Sequence, residues 1–208
     1  MTKLINALFL FCTVAIVSAQ NISIAGKANL LFPTGSPSWS NIKNTAVDAL
    51  DQKGKNNTGF NVGLSLKIDT PTSLFVMPEI YYTTFKSETD VVVDGQTTTL
   101  EAKSNRVDVP VLLGYNLLGE MLGVYVGPVM SYNLSSDNTF KDFKENATKD
   151  FTVGYQFGAQ ATISKIIVSA RYEGAFGKDE RSFINNLSDE IRYDNRTSLF
   201  MVGLGYKF

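Results

Sequence analysis

The chain has no histidine and a single cysteine in 208 residues. Without histidine, imidazole-assisted nucleophilic mechanisms fall away, and so does the commonest metal ligand. One thiol, Cys12, can form neither an internal disulfide nor a cysteine cluster for a metal. No glycine-rich phosphate loop is present, and no pair of carboxylates stands at a spacing that would select acid–base work. Charge is nearly balanced, with 19 Lys and Arg against 20 Asp and Glu, which leaves no electrostatic case for nucleic acid. No linker, repeat or composition shift marks a second domain. These shortages predict a single domain that is not an enzyme and needs no cofactor and no metal.

Long apolar runs are missing too, with one exception at the start. Met1-Thr-Lys3 is a short basic segment, Leu4–Val17 is uncharged and largely apolar, and Val17-Ser-Ala19 offers small residues before Gln20. This is the pattern of a secretory signal peptide, expected to be cleaved after Ala19. The run is shorter than the roughly 20 residues a spanning helix requires. Cys12 follows Phe11 where a lipoprotein site wants a small residue, so the thiol is expected to leave with residues 1–19. Loss of Lys3 takes the net charge one unit lower, from −1 to −2. The domain expected to remain is 20–208.

What remains is alternation. In Thr197–Phe208, the residues Phe200, Val202, Leu204, Tyr206 and Phe208 share one face of a strand, while Met201, Gly203, Gly205 and Lys207 share the other. The same period of two predicts strands over Ile22–Leu31, Thr58–Ile68, Leu74–Phe85, Arg106–Leu117, Met121–Leu134, Phe151–Ile163 and Ile166–Phe176. Most run ten residues or more, against five or six in ordinary soluble strands. About eleven residues rise roughly 36 Å, and a tilt near 40° leaves roughly 28 Å, the thickness of a bilayer's apolar core.

The connections carry more weight. Long Phe32–Asn57 is followed by short Asp69–Ser73, long Lys86–Asn105, short Leu118–Glu120, long Ser135–Asp150, short Ser164-Lys165 and long Gly177–Arg196. Strict alternation of long and short places all long connections at one end of an up-and-down barrel. The expected fold is therefore all-β: an eight-stranded antiparallel up-and-down transmembrane barrel in the outer membrane of a Gram-negative bacterium. Short turns and the N-terminus would face the periplasm. Asp94-Gly95 between alternating strands predicts a type I′ hairpin, so that the third and fourth strands continue past the membrane. In the first long connection, Trp39, Ile42, Ala46, Ala49 and Leu50 fall at helical spacing, with Ser38 or Ser40 as cap and Gly54 as terminator. They read equally well as a polar loop. Trp39 and Ile42 are the candidate contacts for a loop partner.

These strands resemble a known family. Leu74-Phe-Val-Met-Pro-Glu-Ile-Tyr-Tyr82, Val107-Asp-Val-Pro-Val-Leu-Leu113, Val124-Tyr-Val-Gly-Pro128, Ala170-Arg-Tyr172 and Tyr206-Lys-Phe208 are similar, in order, to strand motifs of the Bacteroidetes outer-membrane β-barrel domain, the PorT-like porin family. The resemblance implies an integral outer-membrane barrel. Small enzymatic barrels of that membrane, such as lipid A deacylases, palmitoyl transferases and omptin proteases, resemble one another in using a catalytic histidine, which this chain lacks.

The barrel reading turns one face of each strand inward. Glu79, Arg106, Asp108, Arg171 and Glu173 then project into a lumen that side chains can fill. Charges there must pair. The expected pairs are Arg171 with Glu79 and Glu173, and Arg106 with Asp108. Asn61 should face the lumen, Val62 and Val111 the lipid. Tyr206 and Phe208 are expected to present the assembly signal to the barrel-assembly machinery. The function expected is a non-enzymatic scaffold that meets a protein partner or surface ligand through its outer loops. The alternatives are a porin-like channel for small ions or solutes, and a soluble lipocalin-like carrier with its apolar face turned inward.

Overall fold

The structure is a computed structural model and describes residues 21–34, 38–43, 47–48, 51–53, 55–56, 58–93, 96–134, 139–140, 143–147, 151–176, 179–184, 190–195 and 198–208. Residues 1–20, the Asp94-Gly95 turn, and Ala46, Ala49, Leu50 and Gly54 lie outside that set.

Eight long strands form the barrel. They are β1 Asn21–Pro33, β2 Gly59–Asp69, β3 Leu74–Val93, β4 Gln96–Asn116, β5 Leu122–Asn133, β6 Phe151–Ile163, β7 Ile166–Ala175 and β8 Ser198–Lys207. Each pairs antiparallel with the next, and β8 pairs antiparallel with β1, from Ala25 opposite Lys207 to Pro33 opposite Leu199. The sheet is closed, so the barrel strands leave no free edge within the wall. Between β6 and β7 the chain turns over Ser164-Lys165 alone, with Ser164 taking a positive φ of 57°.

The amphipathic faces are inverted relative to a soluble protein. Ile24, Leu30, Phe60, Val62, Leu64, Ile80, Leu113, Val126, Val168, Val202 and Leu204 are exposed on the outside, and Val111 also points outward. Buried inside are Lys27, Asn29, Asn61, Ser65, Glu79, Thr83, Arg106, Asp108, Gln156, Gln160, Arg171 and Glu173. A soluble carrier would show the opposite arrangement. Two apolar clusters share the interior with these groups: Phe75, Met77, Leu112 and Tyr125 on one side, and Leu31, Leu199 and Met201 on the other. The Phe75 ring fills the space beside Gly114, where a Cβ would come within 2.1 Å of it. This is why a glycine stands at that inward position.

The described parts of the long connections are strands. β3 and β4 remain paired well past the wall, up to Val93 opposite Gln96, as the hairpin signal predicts. Val47–Asp48 and Lys55–Asn56 add to the free edge of β3 in this arm. The other three long connections build a second, six-stranded sheet in the order 139–140, 143–147, 179–184, 190–195, 38–43, 51–53. The helix expected from the spacing of Trp39 and Ile42 is therefore replaced by a strand, Ser38–Lys43. Its backbone pairs with Glu190–Asn195 on one edge and Asp51–Lys53 on the other. A helix of so few residues is marginal alone, and strand edges offered by neighbouring connections override its propensity. Trp39 lies opposite Tyr193, and Ile42 is the extra residue at a register shift between Asn41 and Lys43.

Candidate functional site: the lumen network

Three strands from different parts of the chain send charged heads to one level of the bore. Lys27 on β1 places its Nζ 2.8 Å from Glu79 Oε1, and Arg171 on β7 places its Nη1 2.6 Å from Glu79 Oε2. The Glu79 carboxylate is thus shared by two cations, and the Tyr81 hydroxyl donates to it at 3.1 Å. Lys27 also donates to Gln160 at 3.1 Å. The Arg171 guanidinium lies between two rings, 5.6 Å from the Tyr81 centroid and 5.3 Å from that of Tyr125. This placement over aromatic faces offers the cation further stabilisation where water is scarce.

A second cluster lies one pleat nearer the long-connection end. Arg106 on β4 binds Asp108 through its Nε at 2.9 Å and Glu173 on β7 through its Nη2. Thr83 donates to Asp108 at 2.6 Å. Gln156 on β6 joins the clusters: its amide donates to Glu173 at 2.7 Å, and its carbonyl accepts from Arg171 at 3.4 Å. The lower cluster carries two cations and one anion, the upper one cation and two anions, so the six charges cancel only as a unit. Removing one partner from such a set leaves a buried charge uncompensated, which is far costlier than the net worth of the pair.

The expected Arg171–Glu79 and Arg106–Asp108 pairs are both present. The expected Arg171–Glu173 pair is not. Glu173 instead binds Arg106 and reaches Arg171 through Gln156. The two residues are about 7 Å apart along β7, and each head crosses the bore at its own level. The alternation over Ile22–Leu31 and Phe151–Ile163 puts Lys27, Gln156 and Gln160 on the polar face of their strands, but none of them is among the expected network residues. The available signal was a lysine facing inward among apolar neighbours, which requires a carboxylate partner.

Nearer the short turns, Lys67 binds Asp69 at 2.7 Å, and Asn116 bridges both residues. A cavity of about 20 Å³ lies between this level and the network, lined in part by Ser23, Lys27, Ser65, Lys67, Gln160 and Lys207. That is room for one or two water molecules, at roughly 10–15 Å³ each. At the rim, Glu120 accepts from Lys207 at 3.1 Å and from Asn21 at 2.8 Å. The hydrogen bond from Lys207, then that from Asn21, holds the Glu120 carboxyl below its ordinary value. Tyr206 and Phe208 project outward from the end of β8, their ring centroids 6.0 Å apart. Among the described residues no group of His, Cys, Asp and Glu could hold a metal ion.

A closed barrel of tilted antiparallel strands, apolar outside and ionic within, defines an outer-membrane β-barrel protein. The chain belongs to the outer membrane protein beta-barrel domain family, whose model matches residues 19–178. No curated protein matches it. Among solved structures, the outer membrane protein OprG from Pseudomonas aeruginosa is similar in fold, with a TM-score of 0.60 at 18% identity over 92% of this chain and 97% of that one. The outer membrane protein AlkL, determined in lipid bilayers, has a TM-score of 0.54 at 10% identity over 89% of this chain and 90% of its own.

Proposed function

We propose that this protein is a non-enzymatic outer-membrane anchor. Its lumen is closed, and its long connections meet a protein partner or surface ligand outside the cell. Export follows cleavage of residues 1–19, the short turns face the periplasm, and the strand motifs favour the PorT-like branch of such barrels. The observation that carries this reading is the Lys27–Glu79–Arg171 arrangement, which spans the bore with direct contacts of 2.8 and 2.6 Å. The paired sheet built by the long connections supports the second half of the reading, because it gives them a defined surface. The want of histidine supports the absence of catalysis.

Reconstitution in planar bilayers tests the closed lumen. The native protein is expected to give no stable unitary conductance, because the ion-pair network fills the level an ion would cross. Stable unitary steps from the native protein would replace the anchor by a channel for small ions or solutes. Large steps from Glu79→Ala alone, with stability retained, would make the network a gate.

A further inference from the structure

The outer surface carries a shallow depression along the seam where β8 closes on β1. The register places Gly26 between Leu64 of β2 and Tyr206 of β8, and Ala28 between Val62 and Leu204. The four flanking residues stand exposed as ridges, and the two small ones form a floor. The result is two contiguous shallow apolar depressions, open to the outside, that share Ala28, Val62 and Leu204. At the short-turn end the Phe208 ring leans over Gly26, its Cζ 3.6 Å from where a Cβ would stand. Beside it, in the turn between β6 and β7, Lys165 holds its Nζ 5.5 Å from the centroid of the Tyr206 ring. Among the described residues no carboxylate lies within ion-pair distance of Lys165.

In a bilayer the hydrophobic effect does not select what fills such a hollow, since lipid tails are as apolar as the wall. Selection falls to dispersion contacts, which a concave surface gains and a ridge does not, and to whatever charge stands at the mouth. Among the described side chains the charge beside the Tyr206 ring is the Lys165 ammonium, at the end where Tyr206 and Phe208 form the kind of aromatic belt found at headgroup level. A second barrel offers a convex wall and would enclose the Lys165 charge. A lipid offers a flexible chain for the trough and a phosphate for the ammonium. We propose that the seam binds one phospholipid, with an acyl chain along Gly26 and Ala28 and its phosphate at Lys165. The assignment to the periplasmic leaflet rests on the orientation proposed above; binding itself does not.

Native mass spectrometry of the purified barrel, titrated with palmitoyl-oleoyl phosphatidylglycerol, tests this. One lipid is expected to remain bound to the native protein. Ala28→Phe fills the trough and is expected to abolish that retained lipid. Lys165→Gln is expected to weaken retention about fivefold, the loss of one basic residue near the headgroups. Both positions face outward, and a heat-modifiable gel band verifies folding. If Ala28→Phe does not fold, Lys165→Gln alone decides. Retention unchanged in the folded variants, or no lipid on the native protein, would overturn the proposal. So would a native dimer that Ala28→Phe dissociates, since a second copy would then be the occupant. A barrel inserted in the opposite orientation would still retain the lipid, and a conducting lumen would not alter it, so failure here is distinguishable from failure of the anchor reading.

Discussion

Two ion pairs in this molecule use similar groups in different surroundings. Arg171 and Glu79 meet at 2.6 Å with side chains 1% and 0% exposed, whereas Lys207 and Glu120 meet at 3.1 Å with side chains 25% and 48% exposed. The first pair is fixed by partners on several sides, including a second cation, a tyrosine and a glutamine bridge. The second is partly open to solvent and has one further donor, Asn21. Coulomb attraction in water is weak and screened, while a charge buried in the bore and left unpaired keeps its full desolvation cost. The worth of such a pair therefore follows its burial, which is set by its position along the barrel axis.

The largest expected effect follows from breaking the buried pair on one side. Glu79→Gln leaves Lys27 and Arg171 facing each other across an uncharged amide and is expected to cost about 3–5 kcal/mol, read as a lowered urea midpoint in lipid or detergent. Adding Arg171→Met should recover part of that loss, because the remaining lysine then has Gln160 and the new amide as partners. Strict additivity of the two changes would show that the side chains do not interact.

Charge placed on the opposite face sharpens the contrast. Val111 is on β4 within three residues of Asp108, yet its side chain points outward. Val111→Arg is expected to cost about 2–4 kcal/mol if the residue lies near the bilayer midplane. The midpoint shift should appear in lipid vesicles and shrink in short-chain detergent, where water reaches the side chain. Equal shifts in both media would place Val111 away from the hydrocarbon.

The rim pair should give the smallest effect. Glu120→Gln is expected to change stability by no more than about 1 kcal/mol, and less at high salt. The Glu120 carboxyl is held low by its Lys207 and Asn21 contacts. A carboxylate with a lowered folded-state value adds stability above its unfolded value and loses it as pH falls through the folded one. The native protein should therefore lose a small increment on acidification that Glu120→Gln does not lose. Identical acid profiles for the two proteins would remove the pair from the account of stability.

Much of this architecture was legible because its signals are local. A period of two needs only neighbouring residues, and it correctly assigned Val62 and Val111 outward and Asn61, Glu79 and Arg106 inward. Long and short connections could be counted without knowing what they contact. Two readings failed where the answer depends on distant partners. Whether Glu173 binds Arg171 or Arg106 depends on the stagger of β4 against β7 across the bore, which no local pattern encodes. Ser38–Lys43 is a strand because residues 190–195, about 150 positions away, supply its hydrogen bonds. Lys27 lies between these cases. Its face was readable, but its partners, Glu79 and Gln160, are 52 and 133 residues distant.

Those separations have a kinetic meaning. The network draws on β1, β3, β4, β6 and β7, so its contacts can form together only when the ends of the chain have been brought round to each other. The entropy of closing such loops is spent before the charges meet. The ion pairs are therefore expected to form late: Glu79→Gln should speed unfolding and leave the folding rate nearly unchanged, and a slowed folding rate would place them early. Energy stored in late contacts slows escape from the native state without hastening arrival. On that expectation strand pairing sets how the barrel closes, and the charges inside set how long it stays closed.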